Sequence, residues 1–126
     1  MISIDSRSSK PIYEQIIDGM KENIMKKILR PNDKIPSVRE LASIITANPN
    51  TVSRAYKELE SQGLIVSIKG KGTYIADDYT QDVDYRKVKQ IKGQIKNIII
   101  DMHHMGIDKS EFIEIIKEVY LEIDKG

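Results

Sequence analysis

Residues 48–56 read Asn48-Pro49-Asn50-Thr51-Val52-Ser53-Arg54-Ala55-Tyr56. Asparagine is a good helix N-cap, and proline suits the first helical position, where its missing N–H is not needed. Apolar spacing begins only afterwards, at Val52, Ala55, Tyr56 and Leu59, and Gly63 is the expected stop. The predicted helix therefore carries its small polar residues, and one arginine, at its own first turn. The flanking segments show which fold calls for such a helix.

Just upstream, Ser37-Val38-Arg39-Glu40 is a capping box, in which Ser37 caps and Glu40 reaches back. It opens a short helix to about Ile45 that buries Leu41 and either Ile44 or Ile45, and Thr46-Ala47-Asn48-Pro49-Asn50 breaks it. Further upstream, Ile12, Ile16, Ile17, Met20, Ile24 and Ile28 recur at helical spacing, an amphipathic helix with Pro11 in its first turn. Pro31, Asn32, Asp33 and Pro36 mark the turn between these helices. Downstream, residues 64–76 (LIVSIKGKGTYIA) set β-branched and aromatic residues on both sides of Lys69-Gly70-Lys71-Gly72, a β-hairpin with a short basic tip.

The order is helix, helix, helix, hairpin. Two short helices joined by a four- or five-residue break form a helix-turn-helix, whose second helix offers its N-terminal turn to the major groove of DNA. Asn48, Asn50, Thr51, Ser53 and Arg54 suit that turn: Asn bonds adenine edges, Arg bonds guanine, Ser and Thr bond bases or phosphates. The hairpin then acts as a wing, its glycines letting backbone approach and Lys69 and Lys71 supplying phosphate or minor-groove contacts. Taken singly, Asn48 and Thr51 are capping residues, Gly-Lys-Gly is a hairpin turn and each arginine is a surface charge. It is the conjunction, in winged-helix order, that points to DNA.

Charge distribution agrees. Residues 1–76 hold 12 Lys/Arg and 8 Asp/Glu (12 − 8 = +4), whereas residues 77–126 hold 8 and 11 (8 − 11 = −3), within a net charge of +1. A basic half fits an anionic partner. The sign changes in the acidic, aperiodic stretch 77–85, the expected linker between a DNA-binding domain (1–76) and a helical tail (86–126). No cysteine is present, which removes disulfide frameworks and thiolate chemistry, and no apolar run approaches membrane-span length. The N-terminus lacks the apolar core of a signal peptide, so a cytoplasmic location is expected.

In the tail, Val88, Ile91, Ile95, Ile98 and Met102 repeat at spacings of three and four on one predicted helix. Gly106 ends it, and Asp108 to Glu111 is a second capping box. Phe112, Ile116, Val119 and Ile123 line a second helix. The two can bury one stripe against each other, but the apolar supply exceeds what one pair hides. The expected sink is the same surface on a second copy, giving a homodimer.

The blocks PIYEQI, LRPNDKIPSVRELA, NPNTVSRAYKELESQGLI and KGKGTYIA, in this order over about residues 10–76, resemble the N-terminal domain of the GntR family of bacterial transcription regulators. Two positions depart from that pattern: Asn32 and Thr46 stand where the family often has glycine. The resemblance implies a mainly α winged helix-turn-helix of α+β character and carries DNA contacts onto Arg39, Asn48, Asn50, Thr51, Ser53, Arg54, Lys69, Gly70 and Lys71. The tail of about 50 residues is too short for the large effector domains common in the family. It resembles the short-tailed YtrA-type subgroup, whose C-terminal helices serve dimerisation and whose members often repress operons for membrane transporters. That implies a repressor binding double-stranded operator DNA; the unspent apolar surface of the tail adds the expectation of a homodimer on a two-fold symmetric site, and any effector is expected to act at the C-terminal helices.

Catalysis is not expected. His103 and His104, the only histidines, are adjacent on a helix and point about 100° apart, so they do not readily chelate one metal. No Ser/His/Asp set, phosphate loop or metal cluster is evident, and no catalytic residue, metal ligand or cofactor is assigned. The competing reading is a winged helix that binds protein rather than DNA, but such a module has no need of Asn, Thr, Ser and Arg together at one helix start.

Overall fold

The computed structural model describes residues 2–77 and 83–124, which divide between two units, one within residues 1–78 and the other within 79–125. In the N-terminal unit, Pro11 (φ −55°, ψ 147°) is the residue before helix α1 (Ile12–Met25) and not part of its first turn. One face of α1 places Ile16, Ile17 and Met20 in the core. The helix stops a turn before Ile28. Lys27 takes a left-handed conformation (φ 61°), and the N–H groups of Ile28 and Leu29 both donate to the Asn23 carbonyl, at 2.9 and 3.1 Å. This hands the core position to Leu29 and leaves Ile28 49% exposed. No glycine marks this helix end, so apolar spacing alone ran through it.

The Pro31–Pro36 turn also contains a strand that its turn residues conceal. Asn32, left-handed at φ 69°, donates its N–H to the Ile75 carbonyl (2.9 Å), and Ile75 donates back to the Asp33 carbonyl (2.8 Å). The following pair, β1 (Lys34–Ile35), lies antiparallel to the hairpin, with Lys34 opposite Tyr74. The hairpin strands are β2 (Ile65–Ile68) and β3 (Gly72–Ile75), and the sheet order is β1-β3-β2. Ile35, Ile65 and Ile75 are its core-facing residues.

Helix α2 (Val38–Ile45) has the full capping box: Glu40 N–H donates to Ser37 Oγ (3.1 Å) and Ser37 N–H to Glu40 Oε1 (3.4 Å). Leu41 and Ala42 are buried and Ile45 half-buried, while Ile44 is 69% exposed. Thr46 ends the helix in the left-handed region (φ 54°, ψ 52°), a conformation that explains glycine at such a bend. Helix α3 (Pro49–Ser61) follows, and Val52, Ala55, Tyr56 and Leu59 are its buried residues. It packs on α1, α2 and β2, and Gly63 (φ 75°) lies just past its end. The Tyr56 hydroxyl donates to the Pro36 carbonyl at 2.6 Å, tying α3 to the approach to α2. Ile2 and Ile4 add to this core from the N-terminus. Gly19 lies against Ile2, whose Cγ2 is at ordinary contact distance, 3.4 Å, from where a Cβ would stand.

The C-terminal unit consists of α4 (Tyr85–His104) and α5 (Lys109–Asp124). Asp84 caps α4 through the Arg86 N–H (3.0 Å) and Asp108 accepts from the Glu111 N–H (2.9 Å). Gly106 (φ 84°) closes α4, with the Ile107 N–H donating to the Met102 carbonyl. Of the expected linker, residues 78–82 lie outside the described residues. The sequence allowed α4 and α5 to bury a stripe against each other. In the structure they come together only around their connecting turn, and neither helix contains a buried residue. Val88, Met102, Phe112 and Ile123 are half-buried. Ile91, Ile95, Ile98, Ile116 and Val119 remain 40–52% exposed.

Two stability outcomes follow from the N-terminal unit. A β-branched residue in the left-handed region costs about 1–3 kcal/mol, against about 0.5–1 kcal/mol for the extra chain entropy of glycine. Thr46→Gly should therefore stabilise the protein by about 1 kcal/mol, read as a higher denaturant midpoint at unchanged slope. A midpoint that falls would show that this bend carries no strain. Burial, helped by the nearby Glu40 carboxylate, raises the Tyr56 pKa above its ordinary value. That contribution is fully present below about pH 10, where a free tyrosine titrates, and is lost as pH rises beyond it. Tyr56→Phe should cost about 1–2 kcal/mol at neutral pH by stranding the Pro36 carbonyl. The gap to wild type should narrow above about pH 10, because phenylalanine has no proton to lose. Denaturation of both proteins at neutral and alkaline pH tests it.

Candidate nucleic-acid interface

The buried stripe of α3 dictates what its other side shows. Asn50, Ser53, Arg54 and Lys57 follow at spacings of three, four and seven, so they share the face opposite Val52, Ala55 and Leu59. Asn50, Arg54 and Lys57 are exposed; Thr51 and Ser53 are half-buried at the margins. Asn48 is exposed, but its Oδ1 accepts the Asn50 N–H at 2.8 Å, so it caps the helix and keeps only its side-chain NH₂ for a ligand. Arg39 is exposed at the start of α2.

The wing tip is the three-residue loop Lys69-Gly70-Lys71 between the paired Ile68 and Gly72, closed by the Lys71 N–H donating to the Ile68 carbonyl (2.9 Å). Gly70 (φ 78°) has nothing within 4 Å of where a Cβ would stand, so its backbone is open to an approaching ligand. At Gly72 (φ 126°) a Cβ would come within 2.9 Å of Lys34 Cε, so the Lys34 stem lies across the base of the wing. Lys34 thus adds a third lysine beside Lys69 and Lys71. Neither it nor Lys57 was singled out from the sequence: Lys34 because β1 is only two residues long among turn residues, Lys57 because a single lysine on a helix carries no signal of its own. Among the described residues, Lys34, Arg39, Arg54, Lys57, Lys69 and Lys71 form no ion pair. This face presents its positive charge unneutralised.

Arg54 has a partner within its own unit. Its guanidinium carbon sits 3.7 Å from the centre of the Tyr13 ring on α1, a cation–π stack joining the two helices. Tyr13, Glu14, Ile17, Arg54, Glu58 and Gln62 line the shallow groove there. The sequence could not show this partner, which lies 41 positions away (54 − 13). His103 and His104 lie on α4, their ring centroids 5.5 Å apart. Among the described residues no group of three or more His, Cys, Asp or Glu could hold a metal, and no helix is long and apolar enough to cross a membrane.

A family model described as bacterial regulatory proteins, gntR family, matches residues 12–75, the segment that builds this unit. The chain belongs to the GntR family. It is a transcriptional regulator with a DNA-binding winged helix-turn-helix, not an enzyme. It is similar over its whole length to the HTH-type transcriptional repressor YtrA of Bacillus subtilis (strain 168), at 52% identity covering 97% of that protein. The crystal structure of a transcriptional antiterminator from Listeria monocytogenes EGD-e superposes with a TM-score of 0.90 at 40% identity, over all of this chain and 94% of that one. The AraR DNA-binding domain, solved in complex with operator ORR3, superposes with a TM-score of 0.52 at 31% identity, over 59% of this chain and 89% of that one.

The stack has a measurable consequence. Tyr13→Ala and Arg54→Ala, combined in a double-mutant cycle of stability, should show a coupling of about 0.5–1 kcal/mol, the usual value for an exposed cation–π pair. Strict additivity would place the guanidinium elsewhere in solution.

Proposed function

We propose that the chain is a cytoplasmic repressor that binds a two-fold symmetric operator as a homodimer, with residues 1–76 as the DNA-binding head and 86–126 as the tail that pairs. The observation that carries the DNA contacts is the exposed polar first turn of α3, held out by a fully buried opposite face and flanked by unpaired cations. Asn50 and the Asn48 NH₂ read base edges, with Thr51 and Ser53 bonding bases or phosphates at the margins. Arg39, Lys34, Lys57, Lys69 and Lys71 neutralise phosphates, and Gly70 lets the wing backbone approach the duplex. Arg54 acts mainly by holding α3 against α1, its charge adding to the field of the face.

The pairing of two copies rests on the tail, where Ile91, Ile95, Ile98, Ile116 and Val119 are exposed and Val88, Met102, Phe112 and Ile123 are only half-buried in their own chain. An effector would act there too. Ile99, Met102, His103, Ile107, Lys109 and Phe112 line a crevice of about 330 Å³ at the α4–α5 elbow, apolar inside with a polar rim. The repressor role is supported by the similarity to YtrA over the full chain.

Selection from random duplex DNA should return an inverted repeat with half-sites about one helical turn apart. Titration at several salt concentrations then separates the contacts. Asn50→Ala should lose about 1–3 kcal/mol on the selected site and little on scrambled DNA. Lys71→Ala should weaken both alike and flatten the salt dependence. Ile95→Glu, which sets a charge in the apolar stripe, should sediment as a monomer and lose the about 10²–10⁴-fold advantage of joint binding. A consensus without symmetry, or a wild type that is monomeric at micromolar concentration, would sink the dimer reading and leave the winged helix standing.

A further inference from the structure

The tail helices carry opposite charge. Helix α4 holds Arg86, Lys87, Lys89, Lys92 and Lys96 against one acid, Asp101, whereas α5 holds Glu111, Glu114, Glu118, Glu122 and Asp124 against Lys109 and Lys117. These charges are not scattered. At about 100° per residue, Lys89, Lys92 and Lys96 fall within about 60° of one another, along one edge of the apolar stripe of α4. Glu111, Glu118 and Glu122 fall within about 40° along one edge of the stripe of α5. Among the described residues, none of these six forms an ion pair; the only ion pair in the tail is Lys117 with Glu114.

Handedness decides where the two edges can meet. Viewed from the N-terminus of each right-handed helix, the basic edge of α4 lies clockwise of its stripe and the acidic edge of α5 lies anticlockwise. Two helices packed stripe to stripe bring a clockwise edge against an anticlockwise one only when they run parallel, as in the charged flanks of parallel coiled coils. Helices of one chain joined by the four residues 105–108 can fold onto each other only antiparallel. That arrangement would set Lys89, Lys92 and Lys96 along the edge bearing Lys117 and Asp124, and the acidic edge of α5 along the side of α4 bearing Lys87 and Asp101, edges of mixed sign in place of complementary ones. In the structure α4 and α5 of one chain do not pack along their lengths.

Building on the dimer reading above, we infer that each α4 packs parallel to α5 of a second copy, with the Lys89-Lys92-Lys96 edge facing the Glu111-Glu118-Glu122 edge. Lys89 to Lys96 and Glu111 to Glu118 both span seven residues, about 10.5 Å along a helix, and Glu122 extends the acidic edge by one further turn. Two-fold symmetry forms this contact twice. The tails therefore exchange helices instead of packing as finished hairpins, and the charged edges set partner and direction.

Charge reversal on the full-length chain tests it by sedimentation at low and high salt. Lys89→Glu/Lys92→Glu/Lys96→Glu and, separately, Glu111→Lys/Glu118→Lys/Glu122→Lys should each raise the dimer dissociation constant by about 10²-fold at low salt, because like charges then face each other twice. An equimolar mixture of the two variants should recover wild-type association, since each foreign edge meets its complement in trans. Recovery only when all six changes sit in one chain would place the contact within a chain and overturn the proposal. So would reversal variants that dimerise like wild type; if the lysine variant then lost only salt-dependent DNA affinity, the basic edge would belong to the phosphate backbone. A wild type that is itself monomeric would instead remove the dimer on which the pairing rests.

Discussion

Val52, Ala55, Tyr56 and Leu59 of α3 sit at the centre of the N-terminal core, against α1, α2 and β2. Burial of each larger side chain is worth about 1.5–3 kcal/mol, and together they fix the rotation of α3 about its axis. That rotation is a functional quantity. Turning the helix by one residue, about 100°, would carry Asn50 off the exposed face and set Thr51 in its place. The capping box before α2, the Tyr56 hydroxyl on the Pro36 carbonyl and the Tyr13–Arg54 stack all hold α3 against its neighbours from different sides. The exposed polar turn needs few interactions of its own because the rest of the unit sets its position.

Where the structure was legible in the sequence, short-range chemistry was responsible. Ser37 with Glu40, Asn48 with Pro49, Gly63 and Gly106 mark helix ends through hydrogen bonds or backbone freedom within a few residues, and the buried stripe of α3 follows from its own periodicity. The parts that were hidden depend on distant partners. Strand β1 exists because Asn32, Asp33 and Lys34 pair with a strand some forty residues away. Ile28 looked like core until the backbone of Lys27 turned left-handed without a glycine to announce it. The stack of Arg54 on Tyr13 was hidden because nothing local reveals the ring. The candidate site shows the same division: its polar turn and wing tip were visible, whereas Lys34 entered only once the sheet was assembled.

Asn32 and Thr46 occupy positions where glycine is common in the family, and both adopt positive φ. Asparagine tolerates this region and the β-branched threonine does not. Thr46 lies between α2 and α3, so the strain sits at the bend that sets the angle of the reading helix. The Ala47 N–H, which donates to the Ala42 carbonyl at 2.9 Å, and the Asn48 cap hold the bend from both sides.

The tail obeys a different rule from the head. Isolated helices of this length are marginal in water, and α4 and α5 have no fully buried residue within their chain to stabilise them. In the proposed dimer, most of their apolar surface is covered by the other copy, so ordering of the tail and association are one event. The two heads then become a linked pair, and operator affinity depends on an interface that never touches DNA. A ligand in the elbow crevice between Met102 and Phe112 need only alter how α4 leaves the turn to change which helices pair. A coupling of about 1–3 kcal/mol, typical between distinct sites, changes operator affinity by about 5–150-fold. In the proposed dimer a ligand at the elbow needs no other target, because the element to be switched is the dimer contact itself.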